Sequence, residues 1–124
     1  MPRVLIADDE ESMRTLVARA IAMDGHAIVT AEDGAEALEI LTRENGAFDL
    51  LLTDIKMPVM DGIALALAVA RDFPDLTILL MTGFADQRER AHGLNAIVHD
   101  VVTKPFSVHD IRTTVADALA AGKK

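Results

Sequence analysis

The segment FDLLLTD, residues 48–54, is a largely apolar run that ends abruptly on an acid. A short apolar run closed by a polar residue predicts a buried β-strand, here over residues 48–53. Asp61-Gly62 then opens an apolar helical stretch that continues through Arg71. This unit therefore consists of a strand, a loop that begins with an acid, and a helix.

The same alternation recurs on both sides of this segment. Strands are predicted at residues 3–7, 26–30, 48–53, 76–81 and 97–103. Helices are predicted from residue 13 to Asp24-Gly25, from residue 35 to Asn45-Gly46, over 61–71, over 86–92 and from Ser107 onward. Strands that alternate with helices predict an α/β fold with a parallel sheet covered on both faces. With no linker or shift in composition, residues 1–124 are expected to form a single domain.

Apolar side chains at helical spacing indicate which helix faces pack on the sheet. These core faces are predicted at Met13, Leu16, Val17, Ala20 and Ile21, at Ala35, Leu38 and Leu41, and at Val108, Ile111, Val115 and Leu119. Ser107 and Asp110 also have the spacing of a capping box at the start of the last helix.

The composition is that of one globular domain. The chain has 124 residues, of which 51% are hydrophobic and 26% charged, and this balance excludes an intrinsically disordered chain. It contains no cysteine, which excludes disulfides, thiolate metal ligands and cysteine nucleophiles.

The charge balance excludes two classes of partner. Acidic residues outnumber basic ones 20 to 12, and a net charge of −8 repels nucleic-acid backbones and anionic lipid. The longest uncharged apolar run, residues 63–70, is far shorter than the roughly 20 residues of a membrane span. No signal peptide precedes Asp8, so a soluble cytoplasmic protein is expected, without nucleic-acid binding or membrane insertion.

Polar side chains end four of the predicted strands. Asp8 and Asp9 follow the first strand, Asp54 the third, Thr82 the fourth and Lys104 the fifth. Right-handed crossovers bring the carboxyl ends of parallel strands to one edge of the sheet, where ligands of open α/β folds bind. The sequence therefore predicts three carboxylates, a hydroxyl and an ammonium group in one crevice.

This set of groups suits a divalent cation and a phosphoryl group. Clustered carboxylates repel one another, and oxygen ligands without cysteine or histidine favour a hard ion such as Mg²⁺. A carboxylate can act as the nucleophile that forms an acyl phosphate, a reaction that depends mainly on positioning and charge neutralisation. Lys104 would neutralise the phosphoryl oxygens and Thr82 would donate a hydrogen bond to one of them. Each residue alone is as well explained as a cap, turn or surface residue, so the prediction depends on their joint placement.

Four segments together resemble the receiver domain of two-component response regulators. They are VLIADDE (4–10), DLLLTDIKMPVMDG (49–62), MTG (81–83) and KPF (104–106). The resemblance covers essentially the whole chain and implies a flavodoxin-like (βα)5 fold with strand order 2-1-3-4-5. It also implies that Asp54 accepts a phosphoryl group from a histidine kinase or a histidine phosphotransfer protein.

The resemblance assigns a role to each residue of the crevice. Asp9, Asp54 and the backbone carbonyl of Lys56 would hold Mg²⁺, with Asp8 acting through water or as a further ligand. Thr82 and Lys104 would sense the phosphoryl group, and the Lys104–Pro105 peptide bond would be cis. As in a bacterial stand-alone, CheY-like receiver, no output domain is expected, and the protein would be a monomer or a weak phosphorylation-dependent dimer.

One position departs from the family pattern. Val101 stands three residues before Lys104, where many receivers carry an aromatic residue or histidine that swings inward, so that switch is not expected in its usual form. His99 shares the side of the strand that Val101 occupies. In the family, the fourth helix, fifth strand and fifth helix form the face that docks a target protein. Candidates for that face here are Arg88, Arg90, His92, His99 and Arg112.

Three alternative functions fit parts of this sequence. A Mg²⁺-dependent phosphohydrolase that forms an aspartyl phosphate usually needs an acid two residues beyond the nucleophile, where this chain has Lys56, and a segment that covers the substrate. A flavin carrier needs a glycine- and hydroxyl-rich phosphate loop, whereas the four acids of residues 8–11 repel phosphate. A scaffold that binds partners without being phosphorylated remains open.

Overall fold

A five-stranded parallel sheet forms the centre of the protein. The structure, a computed structural model, describes residues 1–83 and 93–122. The strands are β1 (Arg3–Ala7), β2 (Ala27–Ala31), β3 (Leu50–Asp54), β4 (Thr77–Thr82) and β5 (Asp100–Thr103). Their order in the sheet is β2-β1-β3-β4-β5, and every neighbouring pair is parallel. The predicted strand order and sheet type are confirmed.

Helices cover both faces of this sheet. They are α1 (Glu11–Ala22), α2 (Gly34–Arg43), α3 (Gly62–Asp72) and α4 (Val108–Gly122). The last of these is the fifth helix predicted from the sequence, because the fourth, at residues 86–92, lies outside the described residues. None of the helices in the described part of the chain is long and apolar enough to cross a bilayer.

Alternate strand residues fill two separate cores. Leu5, Leu51 and Leu80 face α2 and α3, whereas the neighbouring residues Ile6 and Leu52 face α1 and α4. Because both faces are buried, the strands are apolar along their whole length instead of alternating with polar residues. The sheet is therefore a rigid base that fixes the positions of its strand ends.

Three helices begin at side chains that cap them. Asp33 Oδ1 accepts a hydrogen bond from the Glu36 N–H at 2.8 Å, and Asp61 Oδ1 accepts one from the Ala64 N–H at 2.8 Å. Ser107 and Asp110 form the predicted capping box, with N–H to side-chain oxygen distances of 3.0 and 3.2 Å. These caps satisfy N–H groups that have no partner within the helix.

Two predicted core positions are wrong. Leu16 and Val108 are 45% and 40% exposed, and Ala37 and Ala118 are buried on the helices instead. Small side chains let α2 and α4 lie close to the sheet, and the spacing of large apolar residues does not reveal this. His26, just before β2, is half-buried, and its Nδ1 atom is buried with no hydrogen bond among the described residues.

The fifth strand is shorter than predicted. It begins at Asp100, because the carbonyl of Leu94 accepts hydrogen bonds from the N–H groups of Ile97 and Val98 at 2.9 and 3.0 Å. That turn occupies the first part of the apolar run predicted as strand. The third strand also starts later, at Leu50, because Phe48 N–H is bonded to the Gly46 carbonyl at 2.7 Å in the preceding turn.

Val59 is a source of backbone strain that can be tested. Its φ is +68°, a left-handed conformation that β-branched residues avoid, and its side chain is 85% exposed. Glycine adopts this conformation freely, so Val59→Gly should raise the free energy of unfolding by about 1 kcal/mol. Urea denaturation followed by circular dichroism measures this change. Val59→Ala, which keeps a Cβ, is the control, and an equal gain in that variant would contradict the explanation.

Candidate functional site

The first carboxylates of the site lie where β1 ends. Asp8 is completely buried, and its Oδ1 accepts a hydrogen bond from the Glu10 N–H at 3.0 Å. Asp9, the next residue, is exposed. One acid thus lies in the floor of the crevice and the other at its rim.

Asp54 is the last residue of β3 and is buried in the floor of the same crevice. The Ile55 N–H lies 3.0 Å from Asp54 Oδ1 and 3.0 Å from the Met81 carbonyl oxygen of β4. The Ile55 carbonyl in turn accepts a hydrogen bond from Gly62 N–H at 2.8 Å. The backbone next to Asp54 is therefore held by the sheet and by the start of α3, and its Ile55 N–H in turn bonds the Asp54 carboxylate.

Lys104 and Thr82 occupy the ends of the last two strands. The Lys104 N–H donates to the Thr82 carbonyl oxygen at 2.7 Å, which joins the two residues through the backbone. Thr82 is completely buried, and Lys104 has 17% of its side chain exposed. The Lys104–Pro105 bond is cis, as the resemblance implied.

The structure brings these sequence-distant groups together. One carboxylate oxygen each from Asp8, Asp9 and Asp54 lies within 4.8 Å of the other two. Lys104 Nζ lies 3.3 Å from Asp8 Oδ2 and 3.4 Å from Asp54 Oδ1. The lysine is therefore a cation shared between the two buried acids.

Charge in the crevice is only partly compensated. The pKa of Asp54 is raised from 3.8 to about 6, mainly by burial and also by the nearby Asp8 carboxylate, while Lys104 acts in the opposite direction. A raised pKa shows that the ionised carboxylate lacks sufficient positive charge around it. Three carboxylates with one shared ammonium are a donor set that fits a hard divalent cation such as Mg²⁺.

Three further residues named from the sequence have different environments. Lys56 is exposed on the loop between β3 and α3, and the metal-binding role of its carbonyl remains a prediction. Val101 pairs with Leu80 in register and packs half-buried against the core beneath α2 and α3, whereas His99 is exposed.

The predicted docking face is described only in part. Arg88, Arg90 and His92 lie outside the described residues. Arg112 does not belong to that face, because its guanidinium forms a bidentate pair with Asp24 beyond the end of α1, at 2.6 and 3.1 Å. A groove of about 350 Å³ remains between β5 and α4, lined by residues such as Val101, Phe106 and His109.

Sequence reasoning missed Arg14, which contacts the backbone of the site and not its carboxylates. Its Nη1 atom donates to the backbone carbonyl oxygen of Asp8 at 2.8 Å. The only signal in the sequence is an arginine in the first turns of a helix that follows an acidic strand end. That pattern alone is more typical of an ordinary surface residue.

Two relatives match nearly the whole length of this chain in sequence. The chain is 37% identical over 121 residues to the response regulator receiver protein CpdR of Brucella abortus, covering 98% of this chain and 99% of CpdR. It is 34% identical over 122 residues to the probable transcriptional regulator ycf27 of Guillardia theta. That match covers 98% of this chain but 47% of the relative, so the chain spans about half the length of ycf27.

Solved structures give the same fold. A CheY-like receiver domain protein from Methanospirillum hungatei superimposes with a TM-score of 0.89 at 26% identity, over 99% of this chain and 97% of the other. The response regulator TrrA of Thermotoga maritima, solved in complex with Mg²⁺-BeF, gives a TM-score of 0.83 at 30% identity. That superposition covers 95% of this chain and 99% of TrrA. Residues 4–116 match the response regulator receiver domain, and the chain belongs to this family of two-component signalling proteins.

Proposed function

We propose that this protein is a phosphoacceptor that receives a phosphoryl group on Asp54 from a histidine kinase or a histidine phosphotransfer protein in a Mg²⁺-dependent reaction. The observation that carries the proposal is the convergence of Asp8, Asp9 and Asp54 within 4.8 Å, with Lys104 shared between the buried acids. The bound Mg²⁺-BeF of TrrA, a receiver of 30% identity, supports the same chemistry in this crevice.

In the proposed transfer, an oxygen of the Asp54 carboxylate attacks the phosphorus of a phosphohistidine. The new O–P bond forms as the N–P bond breaks, and the electron pair returns to the imidazole, which takes up a proton. The Lys104 ammonium, 3.4 Å from Asp54 Oδ1, faces the negative charge of the transferred group. Phosphoryl transfer requires mainly this positioning and neutralisation, so the protein needs no further acid or base.

Asp9, Asp54 and the Lys56 carbonyl would hold the metal ion, with Asp8 as a further ligand or a water-mediated one. When bound, Mg²⁺ would offset the repulsion between the carboxylates and the phosphoryl oxygens. The raised pKa of Asp54 comes mainly from burial, and it supports this role because a bound cation would favour the ionised carboxylate. The protein would catalyse only its own phosphorylation and dephosphorylation.

The signal would leave the site through directional bonds. An aspartyl phosphate carries a charge near −2 where the carboxylate carries −1, a small change in a chain with a net charge of −8. The Thr82 hydroxyl and the Lys104 ammonium would bond the new oxygens, and the hydrogen bond between the backbones of these residues links their movements. The face around β5 and α4 would then bind a target protein, and phosphorylation would also favour a weak dimer.

Incubation with Mg²⁺ and a small acyl phosphate tests this proposal. Intact-protein mass spectrometry should show one phosphoryl increment, and fragmentation should place it on the peptide that contains Asp54. The increment should disappear in Asp54→Ala and in the presence of a metal chelator. The matched control is Asp49→Ala, an exposed aspartate just before the start of the same strand, which should label like the parent protein.

Other outcomes would favour the competing functions. Steady release of phosphate from many phosphate esters, with turnover beyond one equivalent, would support the phosphohydrolase. Absence of any label with intact fold would support the phosphorylation-independent scaffold and would refute the proposal. Pull-down with and without beryllofluoride would then show whether partner binding depends on the occupied site.

A further inference from the structure

We propose that Arg14 is a positioning residue for the metal site, an inference that rests on the proposed function. Arg14 is the fourth residue of α1, and its N–H donates a hydrogen bond to the Glu10 carbonyl oxygen at 2.9 Å. Only 15% of its side chain is exposed. Its guanidinium is thus packed against the site and is not a solvated surface charge.

The contact of Arg14 completes the restraint of Asp8. The Asp8 N–H donates to the Ala31 carbonyl at 3.1 Å, and the two carboxylate oxygens are held by Glu10 N–H and Lys104 Nζ. The remaining polar group is the carbonyl oxygen, which accepts the 2.8 Å hydrogen bond from Arg14 Nη1. All four polar groups of this residue are therefore engaged.

The carbonyl that Arg14 holds belongs to the peptide that joins Asp8 to Asp9. Since a peptide group is planar, fixing its oxygen also fixes the direction in which the chain enters Asp9. Asp9 is exposed, so packing restrains its position less than it restrains that of the buried Asp8. Arg14 therefore sets the position of Asp9, the acid at the rim, relative to the buried Asp54.

The positive charge of Arg14 by itself disfavours binding of a cation. The positioning role and the charge of Arg14 therefore predict opposite changes in Mg²⁺ affinity when the guanidinium is removed. A guanidinium beside the acids repels Mg²⁺, although Glu32 Oε1 lies 3.8 Å from Arg14 Nη2 and offsets part of its charge. If positioning dominates, removing the guanidinium weakens Mg²⁺ binding. If charge dominates, its removal strengthens binding.

Isothermal titration calorimetry with Mg²⁺ alone measures this effect. Arg14→Met, which keeps the length of the side chain and removes the donor, is expected to weaken Mg²⁺ binding about 10-fold, as loss of outer contacts to a metal site typically does. Arg14→Lys, which restores one donor, should recover part of the affinity. The matched controls are Arg19→Met, an exposed arginine of the same helix, and Glu32→Gln, both expected within about twofold of the parent.

A second measurement separates positioning from general destabilisation. Labelling by an acyl phosphate should need about 10-fold more Mg²⁺ for half its maximal rate in Arg14→Met, whereas the rate at saturating Mg²⁺ should stay within about twofold. Unchanged or tighter Mg²⁺ binding by a folded Arg14→Met would overturn the inference. Failure of the parent protein itself to bind Mg²⁺ would instead refute the proposed function.

Discussion

Asparagine in place of Asp54 is expected to raise the free energy of unfolding of the metal-free protein by about 2–3 kcal/mol near neutral pH. The reason is the pKa of Asp54, which burial raises from 3.8 to about 6. At neutral pH the folded protein keeps this carboxylate ionised in a place that disfavours the charge. Asparagine has the same shape and accepts the same hydrogen bond from the Ile55 N–H without carrying charge.

The gain should depend on pH in a defined direction. Below about pH 4 the Asp54 carboxyl is protonated in both the folded and the unfolded chain, so its ionisation does not lower the free energy of unfolding. Between about pH 4 and pH 6 the unfolded chain releases the proton first, and the stability of the parent protein falls as pH rises through this window. Above the folded pKa of about 6 the penalty is constant, and Asp54→Asn lacks it throughout.

Urea unfolding at several pH values, with a chelator present, measures this difference. Far-ultraviolet circular dichroism is the suitable signal, because the chain contains no tryptophan or tyrosine. Asp75→Asn, at an exposed position, is the control and should change stability by less than about 0.5 kcal/mol at any pH. Added Mg²⁺ should stabilise the parent and not Asp54→Asn. Equal stability of parent and variant at neutral pH would show that Asp54 bears no electrostatic penalty.

Much of the site can be predicted from the sequence because the fold makes strand ends meet. Apolar runs buried on both faces are short and end abruptly, so the polar residue after each run is visible without coordinates. A parallel sheet with right-handed crossovers then places those residues at one edge. Asp8, Asp54 and Lys104 are separated by long stretches of chain, yet this argument alone brings them together, and their distances of 3.3 and 3.4 Å agree with it.

What the sequence does not reveal are contacts that depend on how closely elements approach. Arg14 reaches the Asp8 carbonyl because α1 packs tightly against the end of β1, and an arginine in a first turn carries no sign of this. Likewise, Leu16 has the spacing of a core residue but is exposed, whereas Val17 and Ala20 of the same helix are buried. Such outcomes depend on tertiary packing, to which helical periodicity is insensitive.

Substitution of Gly62 is expected to have the second large effect on stability and on labelling of Asp54. The residue is the first of α3 and lies against the strand end that carries Asp54. A Cβ added there would lie 2.1 Å from the Asp54 carbonyl oxygen and 2.9 Å from the Ile55 Cα. Both are backbone atoms, so no side-chain rotation can relieve the overlap.

Gly62→Ala is therefore expected to lower the free energy of unfolding by about 3 kcal/mol, the upper range for overpacking at a rigid site. The strand end must move to admit the methyl group, and a displacement near 1 Å at a reacting group can lower a rate about 100-fold. Labelling of Asp54 should accordingly slow far more than the loss of folded protein explains. Urea denaturation and the labelling rate under strongly native conditions measure the two effects separately.

Gly93→Ala is the matched control, because a Cβ at that position meets no atom of the described residues within 4 Å. It should leave both stability and labelling close to those of the parent. A Gly62→Ala protein with parental stability would mean that α3 can move away from the strand end without cost. In that case the position of Asp54 would not depend on the contact between Gly62 and the end of β3, and the sheet alone would have to hold the phosphoacceptor in place.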